Sequence, residues 1–295
     1  MSTSCDSRRT GGPASSGSAT TTPFRPAVLR LVKVFGPTAI WLAASLLLVP
    51  YALLRGAGAH TFRPHDLGSI ERLIFFAEPT HFLQQHIYRH DIVWFDYAGF
   101  VLHLSWFFVP FVLAAVLMLV ERRKVVEFFA WILVACYLSD FIFMVFPVKP
   151  PWMEPGIARI LVDRSFIHYT GLDNNPVAAF PSMHACLPMV LTLFFFLRCE
   201  RARFLGWFTL VYALLIGFAV VYLGEHWVLD VLGGYALAGL VAVLFMNRRL
   251  QLLYARIPGN PIAQIVRFND AIWWKPPPDA AEEAAPLGIP EQEAA

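Results

Sequence analysis

Charge is scarce in this sequence of 295 residues. Asp, Glu, Lys and Arg together make up 15% of it, whereas soluble domains carry about 25%. The net charge is only +2, and no basic run with interleaved aromatic residues is present, which argues against a nucleic-acid partner. The four cysteines, Cys5, Cys136, Cys186 and Cys199, do not pair at the spacing of metal ligands. We interpret them as small apolar side chains.

Apolar residues are abundant instead, at 57% of the chain, with 26 Phe and 9 Trp. About 20 helical residues span a hydrocarbon core roughly 30 Å thick. Six apolar runs suit this role, although the fourth is short and needs its helix to begin near His184. We therefore predict an all-α integral membrane protein, a bundle of six transmembrane helices. The runs cover residues 34–54, 97–120, 125–146, 185–197, 204–223 and 228–246.

The chain divides into three predicted parts. Residues 1–33 form a disordered basic tail, because they are rich in Ser, Thr, Gly and Ala and poor in large apolar residues. Residues 34–249 form the membrane domain, and 250–295 form a cytoplasmic segment that is disordered from about 276. Ala57-Gly58-Ala59 resembles a signal-peptidase site, but the stretch before the first run is longer than a signal-peptide n-region, so we expect a retained helix.

Basic residues cluster at alternate ends of the six runs. Positive charge favours the cytoplasmic side of a membrane, so both termini are predicted to be cytoplasmic. Residues 55–96, 147–184 and 224–227 then lie at the outer face of the plasma (cytoplasmic) membrane. The clusters are Arg25, Arg30 and Lys33; Arg122, Arg123 and Lys124; Arg198, Arg201 and Arg203; and Arg248 and Arg249.

Two polar stretches at this face indicate chemistry on a phosphate. His226 and Asp230 are four residues apart and would share a helix face, where the carboxylate can fix the imidazole tautomer. Alone, the pair could equally be an ion-paired helix end. Pro181-Ser182-Met183-His184 reads as a helix N-terminus, which suits a phosphate, or as an interfacial helix start without a further role.

A third stretch, Lys149-Pro150-Pro151-Trp152, leaves the third run on the same face. Lys149 can neutralise phosphate oxygens or simply extend towards water beside an interfacial Trp152. Arg159 and Arg164 follow in the same loop as further candidate cations. Two polar residues inside apolar runs are expected to face the bundle, His103 as a hydrogen-bonding group and Asp140 as the partner of a cation.

Together the three stretches resemble the motifs of the type 2 phosphatidic acid phosphatase superfamily. This six-helix family carries a Lys-bearing stretch, Pro-Ser-x-His and a final His-x-x-x-Asp, in that order. The Phe-Pro-Ser-Met-His and Pro-Pro-Trp forms look closer to the inositol phosphorylceramide synthase branch than to the phosphatases with Pro-Ser-Gly-His. The resemblance covers roughly residues 35–246.

The resemblance implies a phosphatase or inositolphosphotransferase that acts on a lipid phosphate without a metal or other cofactor. His226 would become a phosphohistidine, Asp230 would orient it, and His184 would protonate the leaving group. Water, or a polyol such as inositol, would accept the phosphoryl group. The candidate binding residues are Lys149, Ser182, Trp152, Arg159, Arg164 and Glu225.

The sequence departs from the family pattern at two places. The phosphatases carry an Arg shortly after the Lys and a Ser-Arg pair before the last His, whereas Trp152-Met153 and Tyr222-Leu223-Gly224-Glu225 stand here. An ionised Glu225 would repel a phosphate. It could instead pair with Lys149 or bind a polyol acceptor.

Two other functions are compatible with the same residues. His184, His226 and Asp230 are ligand types that a metal-dependent intramembrane hydrolase would use. A transporter or binding protein could capture an anionic lipid headgroup without chemistry. Broken helices and inverted repeats would favour such a protein, and neither is evident in this sequence.

Overall fold

The computed structural model describes residues 42–56, 62–88, 93–164, 175–247 and 249. Within these ranges the chain is helical, with isolated β-bridges and no strand. The predicted tails, 1–33 and 250–295, and the beginning of the first apolar run lie outside the described residues. The α-helices are α1 (Leu42–Gly56), α2 (Gly68–Phe75), α3 (Pro79–Ile87), α4 (Val93–Ser105), α5 (Val109–Val120), α6 (Val125–Val145), α7 (Ile160–Asp163), α8 (Met183–Arg198), α9 (Leu205–Tyr222) and α10 (Val228–Met246).

Several of these helices have the length and composition of membrane spans. Three qualify singly: α9, α10, and α6 together with the turn before it (Arg122–Val145). The pair α4 and α5 qualifies jointly as a fourth span. The helices α1 and α8 are apolar but shorter. The protein is therefore a multi-pass membrane protein, and the count of six spans stays a prediction.

The second predicted span, 97–120, is broken in the structure. The axes of α4 and α5 differ in direction by 57°. Pro110 stands at the beginning of α5, and proline favours the first turn of a helix because it has no N–H to donate to the preceding turn. A hydropathy pattern does not detect such a break, because Trp106, Phe107 and Phe108 keep the run apolar.

The core of the bundle is built around α8, which packs against α6, α9 and α10. Phe194 and Phe195 of α8 are fully buried, and the Phe194 ring meets the edges of Phe128 and Trp131 from α6. Burial of such aromatic side chains dominates core energetics. Because α8 lies at the centre of the core, neighbouring segments pack against its first turn.

The segment before α4 forms two short helices, α2 and α3, with a sharp break between them. Phe76 adopts a left-handed conformation (φ 57°) that ends α2, and Pro79 begins α3. Both helices pack on the end of the bundle that carries the polar stretches, because Glu71 of α2 accepts the N–H of Leu229 and Gln84 of α3 donates to the carbonyl of Tyr222.

Candidate active site

The two histidines singled out in the sequence lie side by side. His184 is in the first turn of α8, and His226 lies two residues before α10. The Nδ1 atom of His184 is 3.2 Å from the Nε2 atom of His226. Two residues 42 positions apart in the chain are thus within hydrogen-bond distance.

The other nitrogen of His226 has a defined environment. Its Nδ1 atom lies 3.0 Å from the carbonyl oxygen of Ala179 and 3.5 Å from Oδ2 of Asp230. Both partners can only accept hydrogen bonds, so Nδ1 carries the proton and Nε2 keeps its lone pair. Asp230 Oδ2 also accepts the backbone N–H of Trp227 at 2.8 Å, which ties this carboxylate to the beginning of α10.

A close approach of α8 and α10 sets the position of the two histidines. The backbone N–H of Ser182 donates to the carbonyl of Asp230 at 2.9 Å. A Cβ atom added to Gly234 would lie only 2.5 Å from the Ser182 carbonyl oxygen, and one added to Gly233 would lie 2.3 Å from the Phe180 ring. Glycine is therefore required at both positions for α8 and α10 to approach each other this closely.

The N-termini of α8 and α10 differ in how they are capped. The backbone N–H of Leu229 in α10 donates to Oε1 of Glu71 at 2.8 Å, and burial raises the pKa of Glu71 to about 7. Ser182, the N-cap of α8, makes no side-chain capping bond. A helix N-terminus attracts anions, so among the described helices α8 is better placed than α10 to receive a phosphate beside His184.

A cavity of about 330 Å³ opens onto the two histidines. Its walls contain two arginines, one carboxylate and several aromatic rings. Because polar groups converge within a mostly apolar lining, the cavity has the character of a ligand site. The lining includes Arg55, His103, Trp106, Trp152, Arg159, Asn175, His184, Glu225 and His226.

One wall of the cavity is an ion pair between Arg159 and Glu225. The Arg159 Nε atom donates to Glu225 Oε1 at 2.8 Å, and Nη2 donates to Oε2 at 3.0 Å. The Arg159 guanidinium also lies 4.3 Å from the centre of the Trp152 ring, in a cation–π arrangement. The partner of Glu225 is thus Arg159, a cation that the sequence analysis did not pair with it.

The loop that carries Arg159 is held by a side-chain amide from α3. Gln84 Nε2 donates to the carbonyls of Ala158 and Tyr222, each at 2.9 Å, and its Oε1 accepts the N–H of Ala158 at 2.8 Å. Gly224, with φ +82°, allows the loop to pass, since a Cβ atom there would lie 2.4 Å from the Ala158 carbonyl oxygen. Gln84 therefore joins the Arg159 loop to the end of α9.

Three candidate binding residues lie apart from the described cavity lining. The Lys149 carbonyl accepts the indole N–H of Trp227 at 2.7 Å, but its side chain is not among the described lining residues. Ser182 is fully buried, and its Oγ has no hydrogen-bond partner among the described residues. Arg164 pairs with Asp96 of α4, with Nη2 at 2.7 Å from Oδ2. By contrast, His184, His226, Trp152, Arg159 and Glu225 meet in one cavity.

The cavity also contains residues that the sequence analysis did not assign to the site. Arg55 comes from the end of α1. His103 of α4 stacks on His184 with ring centres 4.3 Å apart, and Trp106 meets the same ring edge-on at 4.9 Å. The signal for Arg55 was present, because it is a basic residue at the outer end of the first predicted span, against the positive-inside trend.

A metal site needs several ligand side chains that converge on one point. Across the described ranges, no group of three or more His, Cys, Asp or Glu side chains is arranged to hold a metal ion. His184, His226 and Asp230 instead form a line in which His226 lies between the other two.

Known proteins from fungi and from a bacterium are similar in sequence to parts of this chain. It is 29% identical over 210 residues to the inositol phosphorylceramide synthase catalytic subunit aur1 of Schizosaccharomyces pombe, covering 62% of this chain and 47% of the relative. It is 31% identical over 124 residues to the putative undecaprenyl-diphosphatase YbjG of Escherichia coli, covering 42% and 56%. It is 29% identical over 169 residues to an inositol phosphorylceramide synthase of Candida albicans, covering 50% and 34%.

These alignments span only about a third to a little over half of each relative's length. No solved structure matches the chain significantly. Two of the relatives carry the name of the branch that the Phe-Pro-Ser-Met-His and Pro-Pro-Trp forms indicated, which confirms that resemblance. The family model described as the PAP2 superfamily matches residues 65–244, more than half of the sequence. With the histidine pair and the order of the motifs, this match establishes that the chain belongs to the PAP2 superfamily.

Proposed function

We propose that the protein is a lipid-phosphate phosphohydrolase or phosphotransferase that works through a phosphohistidine on His226. The observation that carries the proposal is the 3.2 Å contact between His226 Nε2 and His184 Nδ1, combined with the Ala179 carbonyl and Asp230 on the opposite side of the His226 ring. A nucleophile, a proton donor and an orienting carboxylate are thereby in line.

The first step forms a bond between His226 Nε2 and the phosphorus atom. The bond from phosphorus to the lipid oxygen breaks, and this oxygen takes the Nδ1 proton of His184, which enters the step as an imidazolium beside the bound phosphate and leaves it as a neutral imidazole. The positive charge that develops on His226 is stabilised by Asp230, which contacts the Nδ1–H side of the ring. A phosphate that enters between the two rings replaces their mutual hydrogen bond.

The second step returns the enzyme to its initial state. His184, now neutral, removes a proton from an acceptor O–H group, whose oxygen bonds to phosphorus. The phosphorus–nitrogen bond breaks, and its electron pair returns to His226 Nε2. Water as acceptor gives hydrolysis, and an alcohol gives group transfer.

The binding roles follow the cavity. Arg159 neutralises phosphate oxygens, and the Trp152 ring positions the Arg159 guanidinium. Glu225 forms an ion pair with this guanidinium when no phosphate is bound. The backbone N–H groups that follow Ser182 bind phosphate oxygens at the beginning of α8. Lys149 supports the site through its carbonyl contact with Trp227, and Arg164 has a structural role outside the cavity.

The acceptor proposal rests on the relatives and on Glu225. Relatives named as inositol phosphorylceramide synthases favour transfer of a phosphoinositol group or transfer to a polyol such as inositol, and the name undecaprenyl-diphosphatase favours hydrolysis. The Glu225 carboxylate, next to His226, can bind the hydroxyl groups of a polyol once Arg159 engages the phosphate. We propose transfer to an alcohol as the main reaction, with hydrolysis as the competing outcome.

The proposed membrane placement has six spans, both termini in the cytoplasm and the cavity at the outer face of the plasma membrane. The short α1 and α8 and the bent pair of α4 and α5 complete the count. This places the histidines at the depth of lipid headgroups, which is where a lipid phosphate ester lies.

The decisive experiment is single-turnover labelling of the detergent-solubilised protein with radioactive lipid phosphates. Phosphatidic acid, an isoprenyl phosphate and phosphatidylinositol form the substrate panel, with and without inositol. The expected result is an acid-labile, base-stable label, absent in His226→Asn, whose turnover falls at least about a thousandfold. His86→Asn is the control, since His86 is exposed on α3 and bonds the carbonyl of Phe82.

His184→Asn distinguishes the proton donor from the nucleophile. It should lose turnover of lipid esters but still become labelled by p-nitrophenyl phosphate, whose leaving group needs no proton. Full activity of both histidine variants would overturn the mechanism. Loss of activity with a chelator and its recovery with a divalent ion would favour the metal-dependent hydrolase, and binding of intact lipid without any cleavage would favour the transporter.

A further inference from the structure

Asp140 is a buried carboxylate in the C-terminal third of an apolar helix. It lies in α6 and is 2% exposed. Neither of its carboxylate oxygens has a hydrogen-bond partner among the described residues. A carboxylate within a membrane span is costly and is retained where it serves a partner or a function.

A cation from another helix faces this part of α6. The Arg55 guanidinium, from the end of α1, lies 6.0 Å from the centre of the Phe143 ring, three residues after Asp140 in α6. The Arg55 side chain lines the cavity that contains both histidines. Its backbone carbonyl accepts a hydrogen bond from Asn175 Nδ2 at 2.8 Å, which joins the end of α1 to the segment before α8.

The cavity is therefore lined by two arginines from separate parts of the chain, and a carboxylate lies on the same element as, or near, each of them. Arg159 and Glu225 are contributed by the loop after α6 and the residue before His226, whereas Arg55 and Asp140 are contributed by α1 and α6. The PAP2 motifs of this chain lack the arginines expected beside the Lys and before the last His. Phosphoryl transfer requires cations around the phosphate, because charge on its oxygens must be stabilised during the reaction.

We infer that Arg55 is a second phosphate-binding cation of the site and that Asp140 is the residue that positions it. The inference rests on the proposed function for its substrate, a lipid phosphate. Arg159 and Arg55 approach the phosphate from different elements and together supply the charge that the motifs lack. Asp140 keeps the long Arg55 side chain near the cavity when no phosphate is bound, so less rotamer freedom is lost on binding.

Substitution of Arg55 tests the binding role. Arg55→Gln should raise the KM for the lipid phosphate roughly ten- to hundredfold, as expected for the loss of hydrogen bonds to a charged group. Arg55→Lys should recover part of this loss, because it restores the charge without the planar fork. The matched control is Arg72→Gln, which removes an arginine of α2 that is paired with Glu78 and does not line the cavity.

A double-mutant cycle tests the positioning role. Asp140→Asn should raise KM less than Arg55→Gln does. The double variant should have the KM of Arg55→Gln within about twofold, because Asp140 acts only through Arg55 and the effects of coupled residues are not additive. Independent, multiplying effects of the two substitutions would overturn the positioning role. An unchanged KM in folded Arg55→Gln would overturn the binding role.

Inorganic phosphate separates this inference from the proposed function. Binding of phosphate should raise the melting temperature of the wild-type protein. In Arg55→Gln, the phosphate concentration that gives the same rise should be higher by at least the factor by which this substitution raises KM. If the rise depends on Arg55 while no lipid phosphate is turned over, the inference holds and the proposed function fails. If phosphate stabilises Arg55→Gln as strongly as the wild type, the inference fails whatever the turnover.

Discussion

Arg159 and Arg164 are five residues apart in one loop and have nearly the same local surroundings. Each pairs with a carboxylate from another element, Glu225 or Asp96. Each guanidinium also lies over an aromatic ring, at 4.3 Å from the centre of Trp152 for Arg159 and at 5.0 Å from that of Tyr88 for Arg164.

The two pairs differ in what surrounds their carboxylates. Asp96 is 0% exposed, and its second oxygen accepts the hydroxyl of Tyr222 at 2.5 Å. Both oxygens of Asp96 are therefore bonded, and these contacts join α4, the end of α7 and α9. Glu225 adjoins His226 and borders the cavity. An arginine–carboxylate pair thus stabilises the bundle in one place and faces the proposed substrate in the other.

The largest expected effect concerns stability. Arg164→Gln leaves Asp96 buried without its cation, which costs about 3–5 kcal/mol. The free energy of unfolding in detergent should fall by this amount, while the KM of the folded fraction stays near that of the wild type. A raised KM at unchanged stability would instead place Arg164 in the substrate site.

A smaller effect, on activity, is expected at Arg159. Arg159→Gln should lower kcat/KM roughly 10- to 150-fold. This factor corresponds to a loss of about 1.5–3 kcal/mol of transition-state stabilisation. Part of this loss should be recovered by adding Glu225→Gln, since the second substitution removes a negative charge beside the phosphate. Steady-state kinetics on the three proteins measure both effects, and unchanged kinetics for Arg159→Gln would contradict the role of this pair.

The smallest effect concerns Glu71, a buried carboxylate that binds backbone N–H at the beginning of α10. Burial raises its pKa from 4.5 to about 7, so the folded protein holds a proton that the unfolded chain releases. Its contribution to stability is full below pH 4.5 and is lost as the pH rises to about 7. Glu71→Gln should flatten the pH dependence of the melting temperature in this window. An identical slope in both proteins would show that Glu71 keeps an ordinary pKa in the fold.

The helices were the most predictable part of the molecule. Residues 228–246 were predicted as a span and form α10, and the predicted 125–146 differs from α6 by one residue. Apolar composition determines such helices, because a membrane allows few other conformations of the backbone. The motif order also led to the family. These features depend on sequence local to each segment.

The partners of the charged residues were not predictable in the same way. Nothing near Glu225 in the sequence indicates Arg159 as its partner, and nothing near Arg164 indicates Asp96. These pairs depend on the path of the loop between α6 and α8, which Gln84 holds through three hydrogen bonds from a distant helix. Arg55 was missed for the same reason, because its proximity to the histidines depends on how α1 packs.

The role of Gln84 has a consequence for protein engineering. Its amide connects the loop of Arg159 to the last turn of α9, yet it belongs to none of the three motifs. A second protein that received the three motifs alone would have the reactive side chains without the support that aligns one of its cations. A transplanted site therefore needs α3 and Gly224 as well, so the segment from Lys149 onwards is not a transferable unit by itself.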